Sequence, residues 1–475
     1  MADEKQRDDD PQLSRRDFMS RAAQASVAVG LMLAGCEEDE TTGAVSDQGT
    51  GGEPDGQMPD MGMVSPDSDV PDAEVDAPDA EIPDADSPDA AIADHPLARL
   101  PEAPITKGPW LHIVGGVVVL RFEALEGFEA EATLTAEGGE PERVELTSET
   151  EELEYRWPPF PDRVDFGDYP GTYTLWTGRM TELTPGMRYS WSVEIGPTTV
   201  TGAFTAPPAP GQAFTAVWVA DTMWPNSIRV GELVASWNPD VVVHGGDIQY
   251  MSNPGDTWNG MFQYFAAAMR VAPIQLCVGN HEYEGQEEFT VQYGRLFGIQ
   301  GSESPRSDLH AFDFGSVRFI LMNSETDDQA EPFQTEWLEQ QLSTLEADGL
   351  QRAVVGFHRP VYTFSKSSAN RRVRDVLHPI FQAHNVPLVL TGHNHCYERF
   401  DVDGMVYVVD GGGGALSYEI DATRDDVEAS YPEEIPLRQV AEETYGATRI
   451  EVAADGTMTV ERWNIDGEMT DRFVV

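Results

Sequence analysis

From residue 212 onward short apolar runs recur, and five of them end in the same way. Phe214–Ala220 is followed by Asp221-Thr222-Met223, and Asp240–His244 by Gly245-Gly246-Asp247-Ile248-Gln249-Tyr250. Pro273–Val278 is followed by Gly279-Asn280-His281-Glu282, Ala353–Phe357 by His358-Arg359-Pro360, and Pro387–Leu390 by Thr391-Gly392-His393-Asn394-His395. Short apolar runs of this kind, bounded by turn residues, read as buried strands. Val317–Met322 and Met405–Val409 are two more, and helical spacing covers Phe333–Leu345 and Arg371–His384. Strands alternating with helices predict an α/β or α+β domain with buried sheets. In open α/β sheets the chemistry sits on loops just past strand ends, which is where each of these polar groups falls.

The donors so delivered are Asp, Asp with Tyr, Asn with His, His, and two His. They are hard oxygens and imidazoles without thiolate, a set that suits iron, zinc or manganese. Their number is enough for two ions. One carboxylate can bridge such a pair, and the pair can clamp the attacking and leaving oxygens of an in-line displacement at phosphorus. Each piece alone is commonplace; five in order, each behind an apolar strand, carry the signal. Other residues read more plainly. His244 lies inside a strand as a core or supporting group, and His112, His310, His378 and His384 have no partner pattern. Cys277 and Cys396 flank the motifs and read as small packing residues, with ligation or a disulfide as the alternatives. Gly411–Gly414 lacks the Lys-Ser/Thr of a nucleotide loop and reads as a backbone turn beside the metals.

These blocks resemble those of the calcineurin-like metallophosphoesterases, and within them the purple acid phosphatases: Asp-x-Gly or Asp-x-His, Gly-Asp-x-x-Tyr, Gly-Asn-His-Asp/Glu, a His after a strand, and Gly-His-x-His. Lys107-Gly108-Pro109-Trp110-Leu111 is similar to the opening of the family's β-sandwich domain, and His395-Cys396-Tyr397-Glu398-Arg399 extends the likeness, which spans about residues 104–415. The resemblance implies a sandwich of two mixed sheets flanked by helices. It implies that Asp221, Tyr250 and His395 hold a first metal, that Asp247 bridges, and that Asn280, His358 and His393 hold a second. His281 would face the phosphate and protonate the leaving group or stabilise transition-state charge. A metal-bound hydroxide would attack phosphorus, with two metal ions, iron paired with iron, zinc or manganese. Met223 departs from the first block; a thioether is a poor ligand for a hard cation, so Met223 reads as wall and Tyr250 as the ligand that makes up the set. Where plant enzymes of this kind carry further histidines past the position of His358, this chain has Ser365, Lys366, Ser367 and Ser368. Lys366 is either a phosphate contact or a solvated loop lysine.

The N-terminal third is organised differently. Ser14-Arg15-Arg16-Asp17-Phe18-Met19 precedes a mildly apolar stretch that ends Leu33-Ala34-Gly35-Cys36. The arginine pair resembles a twin-arginine export signal and the end resembles a lipobox, which implies lipidation at Cys36 and a periplasmic or cell-surface lipoprotein of a bacterium. Residues 1–36 are thus read as a signal. Residues 37–96 hold 19 acids, eight prolines, no Lys or Arg and no Phe, Tyr or Trp, and repeat Pro-Asp-Ala four times. Such a segment cannot offset its ordering entropy and reads as an extended tether. Residues 104–206 read as an all-β immunoglobulin- or fibronectin-like sandwich: Val117–Phe122 carries β-branched and aromatic residues, and Tyr189, Trp191, Val193 and Ile195 alternate with polar residues. Pro207–Gly211 then leads into a second domain, 212–475.

The 475 residues carry a net charge of −53, which argues against a nucleic-acid partner and against electrostatic docking to anionic lipid. Membrane contact is expected only through the lipid anchor. The expected partner is a phosphate ester, and the expected function a binuclear metal-dependent phosphoric-ester hydrolase. The alternatives are a phosphodiesterase or nucleotidase of the same superfamily, or a surface binding protein with a structural metal site.

Overall fold

The computed structural model describes residues 104–475, apart from 154–170, 224, 249, 251–253, 283–286, 299–307 and 421–424. The expected signal, Cys36 and the acidic tether lie outside the described residues.

Eight strands build the first part: β1 (Ile105–Val114), β2 (Val117–Leu125), β3 (Ala130–Ala136), β4 (Glu142–Val144), β5 (Leu146–Leu153), β6 (Gly171–Met180), β7 (Arg188–Ile195) and β8 (Thr198–Thr205). They form two antiparallel sheets, β1-β2-β6-β5 and β4-β3-β7-β8. Leu120 and Phe122 from one sheet share a core with Trp191, Val193 and Phe204 from the other. This is a β-sandwich, with the ABED-on-CFG order of immunoglobulin-type domains plus one edge strand. The alternation read in the sequence is realised: Tyr189, Trp191, Val193 and Ile195 of β7 are buried, while Ser190 and Glu194 are exposed.

The second part holds two sheets. One runs β11 (Ile274–Leu276), β10 (Val241–His244), β9 (Phe214–Val219), β19 (Gly446–Val452), β20 (Met458–Asn464), β21 (Met469–Val474). The other runs β12 (His310–Phe314), β13 (Val317–Leu321), β14 (Arg352–Gly356), β15 (Leu388–Thr391), β17 (Met405–Asp410), β16 (Tyr397–Val402), β18 (Arg438–Glu442). Strands β9, β10 and β11 are mutually parallel, as are β13, β14, β15 and β17; their neighbours are antiparallel, so both sheets are mixed. Trp218, Val243, Phe319, Val354 and Leu390 pack in one cluster between the sheets, and the outer faces are covered by helices. Among these are α1 (Asn226–Ser236), α2 (Pro254–Tyr264), α3 (Ala266–Met269) and α4 (Glu287–Phe297) beside the first sheet, and α5 (Pro332–Ser343) and α6 (Arg371–Ala383) beside the second.

The two parts share a core. Trp110 of β1 is fully buried among residues of the second part, its ring 4.5 Å from Phe262 and 5.6 Å from Phe297. Glu123 of β2, also fully buried, accepts from Lys107 and from Arg295 of α4, and Arg121 donates to the Leu296 carbonyl at 2.8 Å. Burial alone would raise the Glu123 carboxyl, but Lys107 and Arg295 outweigh it and hold its pKa down.

Candidate metal centre

Because β9, β10 and β11 run parallel, as do β14 and β15, the residues after each strand emerge at one edge of their sheet, and the two edges face a common site. The backbone there is bent sharply. Asp221, Asp247 and His393 have φ of 62°, 52° and 68°, a left-handed region that non-glycine residues adopt at a cost and that concentrates at functional sites. Glycines allow the approach: a Cβ on Gly392 would lie 2.6 Å from Asp221 Oδ2, and one on Gly279 would strike the Asp247 carboxylate. The Gly411–Gly414 run lies against the same loop, Gly413 N–H donating to Ala220 O (2.9 Å) and Ala415 N–H to Asp221 O (3.0 Å).

Two donor groups result. In the first, Tyr250 Oη lies 2.7 Å from Asp221 Oδ1, 3.0 Å from Asp247 Oδ2 and 2.8 Å from His395 Nε2. In the second, Asp247, His358 and His393 offer ligand atoms that all lie within 4.8 Å of one another, with His358 Nε2 at 3.2 Å from Asp247 Oδ2. Asp247 Oδ2 belongs to both groups. Asn280 stands beside the second through the Gly279–Glu282 turn, and its side-chain oxygen is buried with no hydrogen-bond partner.

The protonation pattern fits cations. His358 Nδ1 donates to Gly245 O (2.9 Å) and His395 Nδ1 to Leu416 O (2.7 Å), which fixes both tautomers and turns the Nε2 lone pairs inward. His358 Nε2 is buried and makes no aligned hydrogen bond; its contact with Asp247 is an ion-pair distance only. An orphaned imidazole nitrogen beside a buried carboxylate, with an orphaned amide oxygen in the adjoining turn, is what a metal site requires. Burial would lower the His358 pKa, but Asp247 and Asp221 overrule it and raise it to about 10. Burial opposes ionisation of Asp247, yet His358 and His281 hold its pKa far below the usual carboxylate range. Burial and the two carboxylates keep the Tyr250 phenol protonated well past its ordinary pKa.

His281 lies at the rim, outside the donor groups. Its side chain is 23% exposed, its Nε2 lies 3.8 Å from Asp247 Oδ2 and its ring packs 4.1 Å from that of Tyr250, while its backbone N–H donates to Asp247 Oδ1 at 2.9 Å. Contacts thus link seven of the eight residues picked out from the sequence, and Asn280 lies between two of their backbone neighbours, Gly279 and His281. The Met223 carbonyl accepts from Ser227 N–H at 3.1 Å. Lys366 is exposed, its ammonium 4.7 Å from the Tyr418 ring. Cys277 and Cys396 are buried free thiols, and His244 is a supporting group: Thr222 Oγ donates to Ile248 O (2.6 Å) and so accepts from His244 Nε2 (3.0 Å).

Several contributors were not singled out in the sequence. Glu282, within the quoted Gly-Asn-His-Glu block, accepts from the backbone N–H groups of Asp247 (2.9 Å), Ile248 (2.9 Å) and Gly279 (2.6 Å), tying together the loops after β10 and β11. Asn394, between two candidate ligands, holds the loop after His358 through Thr363 Oγ (2.7 Å) and Ser367 N and O. Tyr418 stacks on His395 at 4.0 Å. Arg359 reaches His393 Nε2 at 3.1 Å and pairs with Glu325 at 2.8 Å. Its only sequence signal was its place next to His358.

Comparison with known proteins agrees with this geometry. Residues 218–397 match the calcineurin-like phosphoesterase family. The chain is similar to the Arabidopsis thaliana protein described as "Probable inactive purple acid phosphatase 9", 27% identical over 36% of this chain and 32% of that one. It is also similar to purple acid phosphatase 21 of the same plant, 23% identical over 53% of this chain and 59% of that one. The chain thus spans about a third to three fifths of the length of these relatives. Among solved structures, a purple acid phosphatase from yellow lupin (Lupinus luteus) seeds superposes with a TM-score of 0.60 at 19% identity, covering 78% of this chain and 74% of that one. PhoD superposes at 0.54 and 14%, covering 78% and 90%. The motifs, the mixed sheets and the convergent donors agree with the match of residues 218–397 to the calcineurin-like phosphoesterase family.

Proposed function

We propose that this protein is a binuclear metal-dependent phosphoester hydrolase. The observation that carries the reading is the shared oxygen of Asp247, which touches Tyr250 of one donor group and His358 of the other. A family of binuclear phosphoesterases supplies the precedent. Asp221, Tyr250 and His395 would hold one cation and Asn280, His358 and His393 the second, with Asp247 placed to serve both. Bound there, the pair supplies Lewis acidity toward a phosphoryl group and lowers the pKa of a water. The protein's own part is orientation and proton handling. The left-handed Asp221, Asp247 and His393 fix where the oxygens and nitrogens point, and Glu282 fixes the Asp247 backbone. His281, partly exposed at the rim, offers its Nε2 proton to the leaving oxygen. The phenol of Tyr250 must lose its proton to ligate, which favours a trivalent ion, so iron paired with iron, zinc or manganese is the reading for this site.

The test is turnover of an aryl phosphate by protein loaded with two metals. Asp247→Asn removes the charge both cations share, so metal content and rate should fall together; near-normal rate with two metals retained refutes the assignment. One relative is described as inactive, which makes turnover the deciding measurement between hydrolase and metal-binding surface protein. We also propose export by a twin-arginine route and lipid anchoring at Cys36, supported by Arg15-Arg16 and Leu33–Cys36. Among the described residues no helix is long and apolar enough to cross a membrane.

A further inference from the structure

The first donor group has a clamp of its own. Leu416-Ser417-Tyr418 folds back over His395 and holds it in three ways. The Leu416 carbonyl accepts from His395 Nδ1 at 2.7 Å. The Tyr418 N–H donates to the His395 carbonyl at 3.1 Å. The Tyr418 ring stacks on the imidazole, with centroids 4.0 Å apart and planes 22° from parallel. The same segment reaches a second residue of the group, since Ala415 N–H donates to Asp221 O at 3.0 Å. Its start is tied by Asn226 Nδ2 donating to Gly414 O (3.2 Å). Its end is tied at Glu443, whose carbonyl accepts from Ser417 Oγ (2.8 Å) and whose carboxylate accepts from Ile420 N–H (2.7 Å). Among the described residues, none of these hydrogen bonds ends on Asn280, His358 or His393. The stack adds more than packing. An imidazole whose Nε2 holds a cation is drained of electron density, and the negative face of a phenol ring attracts a positive neighbour. Lys366 Nζ lies 4.7 Å from the centre of the same ring, so the ring already takes a positive charge in this setting.

We propose that Tyr418 is a positioning residue for the first cation. Through the stack on His395 it sets how tightly Asp221, Tyr250 and His395 hold that ion, and it leaves the second ion alone. The backbone of Ala415 and Leu416 fixes where Asp221 and His395 sit, and the Tyr418 ring fixes the tilt of the imidazole. The inference rests on the two-cation reading, and its test separates the two. Iron-loaded parent, Tyr418→Leu and Tyr418→Phe are titrated with EDTA. Loss of the Tyr250 phenolate band reports the first cation, and total iron retained by the protein reports both. Tyr418→Leu loosens the first cation about tenfold, as loss of outer support does, and shifts the band, because a ligand of the same ion has moved. The second cation stays within twofold of the parent, and so does the urea midpoint of the metal-free protein within the error of the fit. Tyr418→Phe keeps the ring and restores both affinity and band. Equal weakening of the two cations, or an unmoved band beside a lowered urea midpoint, reduces Tyr418 to packing and overturns the proposal. A Phe variant as weak as the Leu variant assigns the effect to the hydroxyl and overturns it too. A colourless iron-loaded parent removes Tyr250 from the first set and overturns the proposal, while phenyl phosphate turnover with two metals bound leaves the hydrolase reading standing. A parent that holds no metal and turns nothing over overturns both.

Discussion

Glu282→Gln separates what holds the metal centre from what holds the fold. The carboxylate serves three backbone donors: Oε2 accepts from Asp247 and Gly279, Oε1 from Ile248. A glutamine of the same shape keeps one oxygen for Asp247 and Gly279 and turns its NH2 group against the Ile248 N–H. One bond to a charged acceptor is lost, about 1.5–3 kcal/mol, and the two that remain lose their charge assistance. Against this stands the cost of the charge itself. Burial and the neighbouring Asp247 push the Glu282 carboxyl from an ordinary 4.5 up to about 7, so that an ionised group there already carries a penalty of about 3 kcal/mol. Gains and losses nearly cancel, and metal-free Glu282→Gln should unfold within about 1–2 kcal/mol of the parent. The local effect does not cancel, because the Asp247 backbone is no longer pinned against the Asn280 turn. Removal of such outer support typically weakens metal binding 10–100-fold. The assay is urea unfolding of the metal-free protein beside chelator competition on the loaded protein. Metal affinity within twofold of the parent, or a metal-free variant destabilised by more than about 4 kcal/mol, refutes this division of labour.

Iron-loaded protein should be violet to pink through a Tyr250 phenolate, and Tyr250→Phe should bleach it; a spectrum that survives the change rules out ligation by Tyr250. His112 and His310 are buried without hydrogen-bond partners. Burial, with Arg121, Arg179 and each other's proximity for His112, depresses both, His310 to about 3. A depressed histidine contributes stability that is complete above about pH 6.5 and is lost as pH falls, about 2 kcal/mol for each between pH 7.5 and 5. Asp410, raised by burial to about 6, acts in the opposite sense, so the test is a difference: His310→Leu should lose about 2 kcal/mol less than the parent over that interval in urea titrations, and equal losses contradict the assignment. Arg15→Lys with Arg16→Lys should retain precursor in the cytoplasm, and Cys36→Ala should release the mature protein from membranes; unchanged fractionation in both would remove the export proposal.

The donor residues were legible because parallel strands deliver their following residues to one edge, so a list of strand-end residues is already a list of neighbours. The strands themselves stood out where both faces are buried: Phe214–Val219 and Val241–His244 are apolar almost throughout. The C-terminal strands β18 to β21 were not anticipated. Arg438–Glu442 and Met469–Val474 are half-exposed and largely polar, and nothing local to Gly446–Val452 shows that it pairs antiparallel with β9, more than 200 residues earlier. The linkage of Glu325, Arg359 and His393 was likewise invisible, since contacts between the ends of separate segments leave no periodic trace.

Trp110 carries a consequence for any attempt to divide the molecule. Pro207–Gly211 looks like a place to cut, and a shortened chain starting there would retain every candidate ligand. It would also lack the indole that packs against both Phe262 and Phe297, a deletion of the kind that costs about 3–5 kcal/mol, and would leave Arg295 without Glu123. The sandwich is therefore a buttress cast in one piece with the domain it supports. A fragment lacking it should be judged by its solubility and melting before any loss of turnover is read as chemistry.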